Sequence, residues 1–536
     1  MTFLIWVLLK AWFRNRAEHI LVVFQNNNEL RGGGGFITQL LDVELGKRKA
    51  KLHFRHDHNE LRGHTQVTPP KEVQEFLKLK HWFFRDSNLF GNFEKSAKRM
   101  IESYCAIYPK TQVSGVVAIN YSLLEQFMKV VGSIKEGTIV FTAKNLFYQL
   151  STLVSDVDFH NAEEGSNRKW ILKALFKKIM KTIIIHVWKW PRCIALLKKA
   201  IVTKDLQLFT TDQYLQNKFI VKGLVMPFTA TGCSDALAVI ENNYLGLKTN
   251  RYLRRTISRE VSFAFDKENK KLAGADVTLT IEVQHGGGYD YPISGTYQGV
   301  MSTCLLKSTL QVKVMSDGKE LEAAEEGDFI TRPIHYQLAV GKKFLVTIHY
   351  QIPAANLRDD HYSFKYIKQS GVVHEHVHEI LKFPESYNLE TKTTDKAEEI
   401  AITDSSCFVD NVNVKKDYQY EVIATLNHNP PRIFYHEIVA PQIIDIRFNE
   451  VVTFSGDALQ SIQVIAKDSG KIYVPQKYEF RNNGKWLYIY MKDLPELPEK
   501  FYQVKLAHLC NDAGIPLPES REITVVYRPK YFHKIN

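Results

Sequence analysis

From Arg255 onward the chain is written in short alternating runs, ISREVSFAF, DVTLTIEVQH, TLQVKVM and KFLVTIHYQI, separated by Gly, Asp and Asn turns. Alternation places every second side chain on one face, and strands this short bury that face by stacking sheet on sheet. The pattern predicts an all-β sandwich. After Pro430-Pro431 come IIDIRFNEVVTF, SIQVIAK, KIYVP, KWLYIYM and FYQVKLAHLC, with NDAG as a turn, which predict a third, β module. The polar stretch TKTTDKAEEIAITDSS between them reads either as a linker or as edge strands.

Before Arg255 the period changes. HILVVF reads as a buried strand, and QNNNELRGGGGFITQLLDVEL carries it through a Gly-rich turn into a second one. Helical spacing governs residues 71–80 and 93–108, where Ala97, Met100, Ile101, Tyr104 and Cys105 recur at i, i+3, i+4. VSGVVAIN has the β-branched density of a central strand, and 121–131 follows as a helix ending at Gly132. Residues 168–199 hold ten Lys or Arg and no acid, with an apolar side from Trp170 to Ile183, and Pro191 divides them into two helices. DLQLFTTDQYLQNKFI adds a strand and a helix, so this region is an α/β domain.

The fold class is therefore a multidomain α/β plus all-β chain, as 536 residues allow. The expected division is a membrane-anchor or truncated transmembrane segment at 1–18, the α/β domain at 19–250, a β-sandwich at 251–390, the linker or edge strands at 391–430, and a last β-sandwich at 431–536. With 45% hydrophobic and 24% charged residues, the composition excludes a disordered, collagen-like or polytopic membrane chain. The net charge of +12 suits an anionic lipid or a phosphate-bearing polymer. No nucleic-acid module accompanies it, so nucleic acid is not an expected partner. The six cysteines are widely scattered and read as unpaired small hydrophobes.

Residues 2–13, TFLIWVLLKAWF, are almost wholly apolar and precede Arg14 and Arg16. A spanning helix needs about 20 apolar residues, so this segment is expected to anchor at the interface, to be part of a longer segment, or to be a buried first helix.

The most unusual string is Gln25-Asn26-Asn27-Asn28-Glu29-Leu30-Arg31-Gly32-Gly33-Gly34-Gly35-Phe36-Ile37. Four glycines can bring backbone N–H groups close to an anion beside a permanently charged guanidinium. The same residues would equally make a tight hairpin whose Arg caps carbonyls. Asn27, Glu29, Gly32, Gly33, Gly34 and Gly35 are the candidate ligand-binding residues. Glu29, Asp86 and Asp158 are candidate acids for a base, or for holding Mg²⁺ beside a phosphate; the cofactor is otherwise open.

This string resembles the hallmark Q-N-N-x-E-L-R-P-T-G-G-F-I of the uncharacterised bacterial domain-of-unknown-function family four-thousand-and-twelve. Further pieces follow in the family's order: Arg85-Asp86-Ser87-Asn88, VSGVVAIN, Lys204-Asp205-Leu206-Gln207-Leu208, and Glu241-Asn242-Asn243-Tyr244-Leu245-Gly246 with Asn250 and Arg255. They cover roughly residues 19–385. The family is in turn similar to the LytR-CpsA-Psr phosphotransferases, extracytoplasmic α/β enzymes that move polyprenyl-pyrophosphate-linked glycopolymers onto the cell wall. That similarity implies catalytic roles for Arg31 and Arg168, with Asp86 of the Arg85-Asp86-Ser87-Asn88 piece as the candidate catalytic acid or else a turn or helix-capping residue, but Arg31-Gly32-Gly33-Gly34 stands where those enzymes carry R-S-D-T, without its acid. A polyprenyl pyrophosphate would need fixed cations for its head, expected from Arg31, Arg168 and the Gly-loop amides, and an apolar tunnel for its tail, expected from the 170–185 helix. The basic amphipathic stretch suits an anionic membrane surface or a domain-packing role.

His374, His376 and His378 alternate in GVVHEHVHEI and share one strand face. Adjacent ligands on a strand stand about 6.5–7 Å apart, an awkward fit to one tetrahedral ion, so no metal ligand is assigned. Residues 441–527 resemble the bacterial immunoglobulin-like domains of surface proteins, which implies a place on the cell surface. The function expected is binding, and transfer if the site is catalytic, of a lipid-linked glycan phosphate or cell-wall polymer by a protein held on the membrane through its N-terminus. The alternative is a non-enzymatic surface scaffold or adhesion protein.

Overall fold

The computed structural model describes residues 17–528 apart from 47, 57–66, 156–169, 246, 267, 269–270, 288–292, 359–360, 385–386, 394–398, 403–405, 412–413, 427–428, 496–499 and 519–522. The apolar segment 2–13, Asp158 and Arg168 lie outside the described residues.

The N-terminal part is a five-stranded sheet in the order β3-β2-β1-β4-β7, where β1 is Glu18–Asn26, β2 Phe36–Gly46, β3 Lys49–His56, β4 Val113–Asn120 and β7 Leu206–Thr210. Strand β1 lies parallel to β4 and antiparallel to β2. A small hairpin, β5 Ile134–Glu136 with β6 Ile139–Phe141, stands apart. The helices are α1 Lys71–Phe76, α2 Phe93–Ile107, α3 Tyr121–Val131, α4 Leu146–Ser155, α5 Trp170–Ile185, α6 Trp190–Val202 and α7 Gln213–Val221.

Helix α2 starts where the Asn92 side chain accepts hydrogen bonds from the amides of Glu94 and Lys95. It lays Ala97, Met100 and Tyr104 on Leu21, Val23 and Val116, sealing one face of the sheet. On the other face lie α5 and α6. Leu175 and Ile179 of α5 turn away from the sheet and pack on Met128, Phe141 and Leu146.

Two large sheets follow. Strand β8, Asp235–Asn243, is the first of the sandwich: it pairs with Tyr297–Leu306 on one side and His361–Ile367 on the other within an eight-stranded sheet. The seven-stranded partner sheet is built around Leu253–Asp266 and Lys271–His285. The expected boundary at 250 is thus too late, because β8 belongs to the sandwich. The end expected at 390 is too early: Ser406–Asn411 and Tyr418–Leu426 are strands of the same two sheets, and Glu399–Ile402 is an edge. The polar stretch after 390 thus contributes strands.

An ionic cluster sits inside this sandwich. Arg259 is fully buried, donates to Asp235, to Glu379 at 2.7 Å and to Tyr362 at 2.6 Å, and lies over the Phe364 ring at 4.3 Å. Tyr350 donates to Asp235, and Tyr418 and Tyr420 donate to Glu379, each at 3.0 Å. Burial pushes both carboxyls upward against the pull of Arg259. One guanidinium faces two carboxyls, so the cluster carries an excess of acid that burial disfavours in its charged form.

The last part, from Ile433 to Val526, has two four-stranded sheets and a two-stranded pair around one core that includes Ile444, Ile446, Val464, Leu487 and Tyr502.

Candidate functional site

Arg31 sits just past the C-terminal end of β1 in a closed setting. Its Nη1 donates to the Leu30 carbonyl at 3.3 Å, its Nη2 lies 3.7 Å from Asp86, and the rings of Phe36 and Tyr244 flank the guanidinium at 5.3 and 5.7 Å. Arg31 is 2% exposed and Asp86 1%. Glu29 lies close enough to feel Arg31, Lys248 and Asp86, and burial raises its carboxyl above the usual range. The fold thus brings together Arg31, Asp86 and Glu29, three of the residues singled out from sequence.

The glycine loop is equally occupied. The Gly32 amide donates to Asn242 at 2.9 Å, that of Gly33 to the Asn88 carbonyl at 2.7 Å, and that of Gly34 to the Arg31 carbonyl at 2.8 Å. Asn88 donates to the Gly35 carbonyl. Asn27 donates to the Gly371 carbonyl at 3.1 Å and accepts from the Ser122 amide at 3.1 Å. The expectation that these amides face an anion is corrected here: Gly32, Gly33 and Gly34 spend their N–H groups inside the protein. Of the two readings of the string, the geometry is that of a hairpin with internally paired groups.

What the loop does is join two parts of the chain. The Asn243 amide donates to the Leu30 carbonyl at 2.9 Å, the Leu30 amide to Asn250 at 3.0 Å, and Gln369 to the carbonyls of Arg31 at 3.1 Å and Glu241 at 2.8 Å. Two motif strings far apart in sequence, 25–35 and 241–250, are therefore stitched together at the junction of the α/β part and the sandwich. Sequence reasoning missed the third component, Lys368-Gln369-Ser370-Gly371. Lys368 is buried, donates to the carbonyls of Gln369 and Val372 at 2.9 Å, and is pushed down to about 8 by desolvation. Lys204 reaches Asp417 at 2.6 Å and the Lys368 carbonyl at 2.9 Å. The only signal was a short polar segment, KQSG, between two strands.

The open feature is elsewhere, on the sheet face away from α2. Between that face and α5, α6 and α7 runs a cavity of about 1270 Å³. Its floor is Ile20 and Val22 of β1, Leu41 and Val43 of β2, and Val117 and Ile119 of β4. These are the side chains that β alternation turns away from α2. Phe176 closes over it, edge-on to Phe24 at 5.7 Å and Phe54 at 6.2 Å. Met180, Ile184, Leu197 and Ile201 continue the roof, and Lys177 and Lys181 also stand on the wall. Ordinary small-molecule pockets enclose about 300–1,000 Å³, so this one is larger and is apolar over most of its lining. Such a space can hold a long hydrocarbon chain, with the two ammonium groups available to an anionic head.

The histidines lie as alternation requires. His376 and His378 are on the outer face of Glu375–Lys382, and both approach Asp410, at 2.5 and 3.5 Å, while Glu375 and Glu379 point inward. Among the described residues no helix is long and apolar enough to cross a membrane.

Comparison with solved structures finds only partial likeness. A Legionella pneumophila protein described as nutrient-binding matches at 6% identity over 35% of this chain and 71% of its own, with a TM-score of 0.26. An M1 zinc metallopeptidase of Deinococcus radiodurans matches at 8% identity over 38% of this chain and 48% of its own, with a TM-score of 0.18. No curated protein matches the sequence. Residues 15–152, which hold β1 to β4 and the glycine string, match the model of the family described as protein of unknown function (DUF4012), and this N-terminal stretch belongs to that family.

Proposed function

We propose that this is an extracytoplasmic, membrane-anchored cell-envelope protein whose α/β domain binds a lipid with a long apolar chain and an anionic head. The observation that carries the reading is the apolar cavity between the sheet and α5 to α7. The similarity to the LytR-CpsA-Psr phosphotransferases supports a polyprenyl-phosphate-linked glycan as the lipid class, and the likeness of residues 441–527 to immunoglobulin-like surface domains supports the location. Binding is favoured over transfer. Arg31 and Asp86 are shielded by each other and by Phe36 and Tyr244, while the cations that meet the cavity are Lys177 and Lys181.

The test is mass spectrometry of organic-extractable lipid carried by the purified full chain, parent against Val22→Trp. Val22 and its register partner Val117 both face the cavity, so an indole at position 22 would occupy the lipid's space without crowding the α2 face. The parent is expected to retain a polyprenyl phosphate or its glycan-bearing form, and the variant to lose it while its far-UV spectrum is unchanged. A parent that carries no lipid, or only bulk phospholipid that Val22→Trp does not displace, overturns the proposal and favours the scaffold reading.

A further inference from the structure

The turn that joins α5 to α6 carries a concentration of exposed apolar side chains, of which Val187, Trp188 and Trp190 lie outside the cavity lining. Trp188 is 68% exposed, Ile184 64%, and Ile185, Val187 and Trp190 about half. Soluble surfaces seldom group so many large apolar residues in one turn, and such a group marks an interaction site. The turn is also held in shape. The Trp190 indole donates to the Ile183 carbonyl at 2.8 Å, Lys189 donates to the Val131 carbonyl at 2.9 Å, and the His186 ring meets the Thr182 carbonyl at 2.8 Å.

Its charge is one-sided. Residues 170–199 contain no Asp or Glu, and the exposed Lys177, Lys181, Arg192, Lys198 and Lys199 climb the two helices behind the apolar tip. Among the described residues of this stretch, Lys178 pairs with a carboxylate, Glu136. By helical rise Lys181 and Arg192 stand within roughly 6 Å of the tip along their helices, and Lys177 and Lys198 roughly 12 Å. That spacing matches a tip that enters the acyl boundary while the cations stay among phosphates. Two tryptophans at the level between them are what a membrane interface selects.

We propose that the α5–α6 turn is a docking surface for an anionic lipid bilayer, a second membrane contact besides the N-terminal segment. Ile184 and Ile185 share the cavity wall with Glu18, the first residue of β1. Phe13, the last residue of the apolar sequence, precedes Glu18 by five positions, a reach of roughly 17 Å at most. The turn therefore shares a cavity wall with the start of β1. The inference goes beyond the lipid-binding reading and stands whether or not the cavity holds a ligand.

The experiment is hydrogen exchange of the full chain in detergent micelles, in phosphatidylcholine vesicles, and in vesicles with about one-third phosphatidylglycerol. Peptides covering residues 184–194 are expected to exchange about tenfold or more slowly on the anionic vesicles than in either other state. Lys181→Gln and Arg192→Gln should each return about fivefold of that protection, the value of one charge near an anionic leaflet. In parallel, acyl-brominated lipid should quench the parent's tryptophan emission more than that of Trp188→Ser, a change at an exposed position that leaves the core intact. Equal exchange on the two vesicle types, or quenching that Trp188→Ser leaves unchanged, overturns the proposal.

Discussion

Replacing Arg259 by Met should unfold the sandwich far more readily than removing any surface charge. The side chain is fully buried, and its loss strands two carboxyl groups, Asp235 and Glu379, in a site lined by Tyr350, Tyr362, Tyr418 and Tyr420. Breaking a buried pair by deleting one partner costs about 3–5 kcal/mol, because the remaining charge is uncompensated. For a unit of this size each kcal/mol moves the midpoint by about 2–4 °C, so the sandwich transition should fall by about 6–20 °C in differential scanning calorimetry. The pH dependence follows from the same carboxyls. Burial holds their folded pKa above the unfolded values of 3.8 and 4.5, so the folded state binds more protons than the unfolded one over that window and stability falls as pH rises through it. Without Arg259 the shift widens, so the deficit relative to the parent should shrink on going from pH 8 to pH 5. Arg259→Met with Asp235→Asn and Glu379→Gln, which leaves no charge to bury, should recover part of the loss. A cost under about 1 kcal/mol at pH 8, or a deficit that grows on acidification, would refute the account.

Two other positions give simpler expectations. Gly34 has φ of 134°, and a Cβ there would stand 2.4 Å from Gln25 Oε1, 2.5 Å from Asn120 Oδ1 and 2.8 Å from Ser370 Oγ; Gly34→Ala should cost at least about 2 kcal/mol in denaturant unfolding, from backbone strain and overpacking together. Lys368 has a folded pKa of about 8 against 10.5 unfolded, so the unfolded chain binds the extra proton between those values and the parent gains stability as pH rises from 8 to 10.5. Lys368→Met should lack that gain, of order 3 kcal/mol, in melts across the same range.

The elements of the α/β part were legible because their signals are local. VSGVVAIN is β4 and residues 121–131 are α3, with Gly132 at φ 94° closing the helix as a C-terminal glycine should. Pro191 separates α5 from α6, standing in the first turn of the second, where its missing N–H costs least. What local signals do not carry is which elements meet. A boundary at 250 leaves ALAVIENN in the α/β region, yet β8 finds its partners at 297–306 and 361–367. Arg31 is ambiguous for the same reason, since its neighbours Asp86 and Tyr244 come from distant segments. Arg259 did have a signal that went unread: it lies in phase with Ile257, Val261 and Phe263, and Glu375 and Glu379 in phase with Val377. Charges on the apolar beat of two strands point to a paired ionic core.

The separation between Arg31 and the cavity makes the functional proposal testable from its opposite side. The cavity meets β1 at Glu18, Ile20 and Val22, whereas Arg31 lies beyond Asn26, the last residue of that strand and roughly 26 Å from Glu18 at the rise of a β-strand. If Arg31 held the head of a bound lipid, Arg31→Met would abolish retention. Its actual neighbours predict a different outcome. Removing the guanidinium leaves buried Asp86 with Arg85, whose Nε stands 3.5 Å away, as its remaining cation, which should cost about 1–3 kcal/mol in unfolding and be partly repaired by Asp86→Asn. Lipid retained by the folded fraction should stay unchanged. Lys177→Gln with Lys181→Gln should do the reverse, lowering retention of an anionic lipid while the melting midpoint stays put, since both side chains are exposed. Folded Arg31→Met protein stripped of its lipid would move the head group to the glycine string and restore Arg31 as a binding residue.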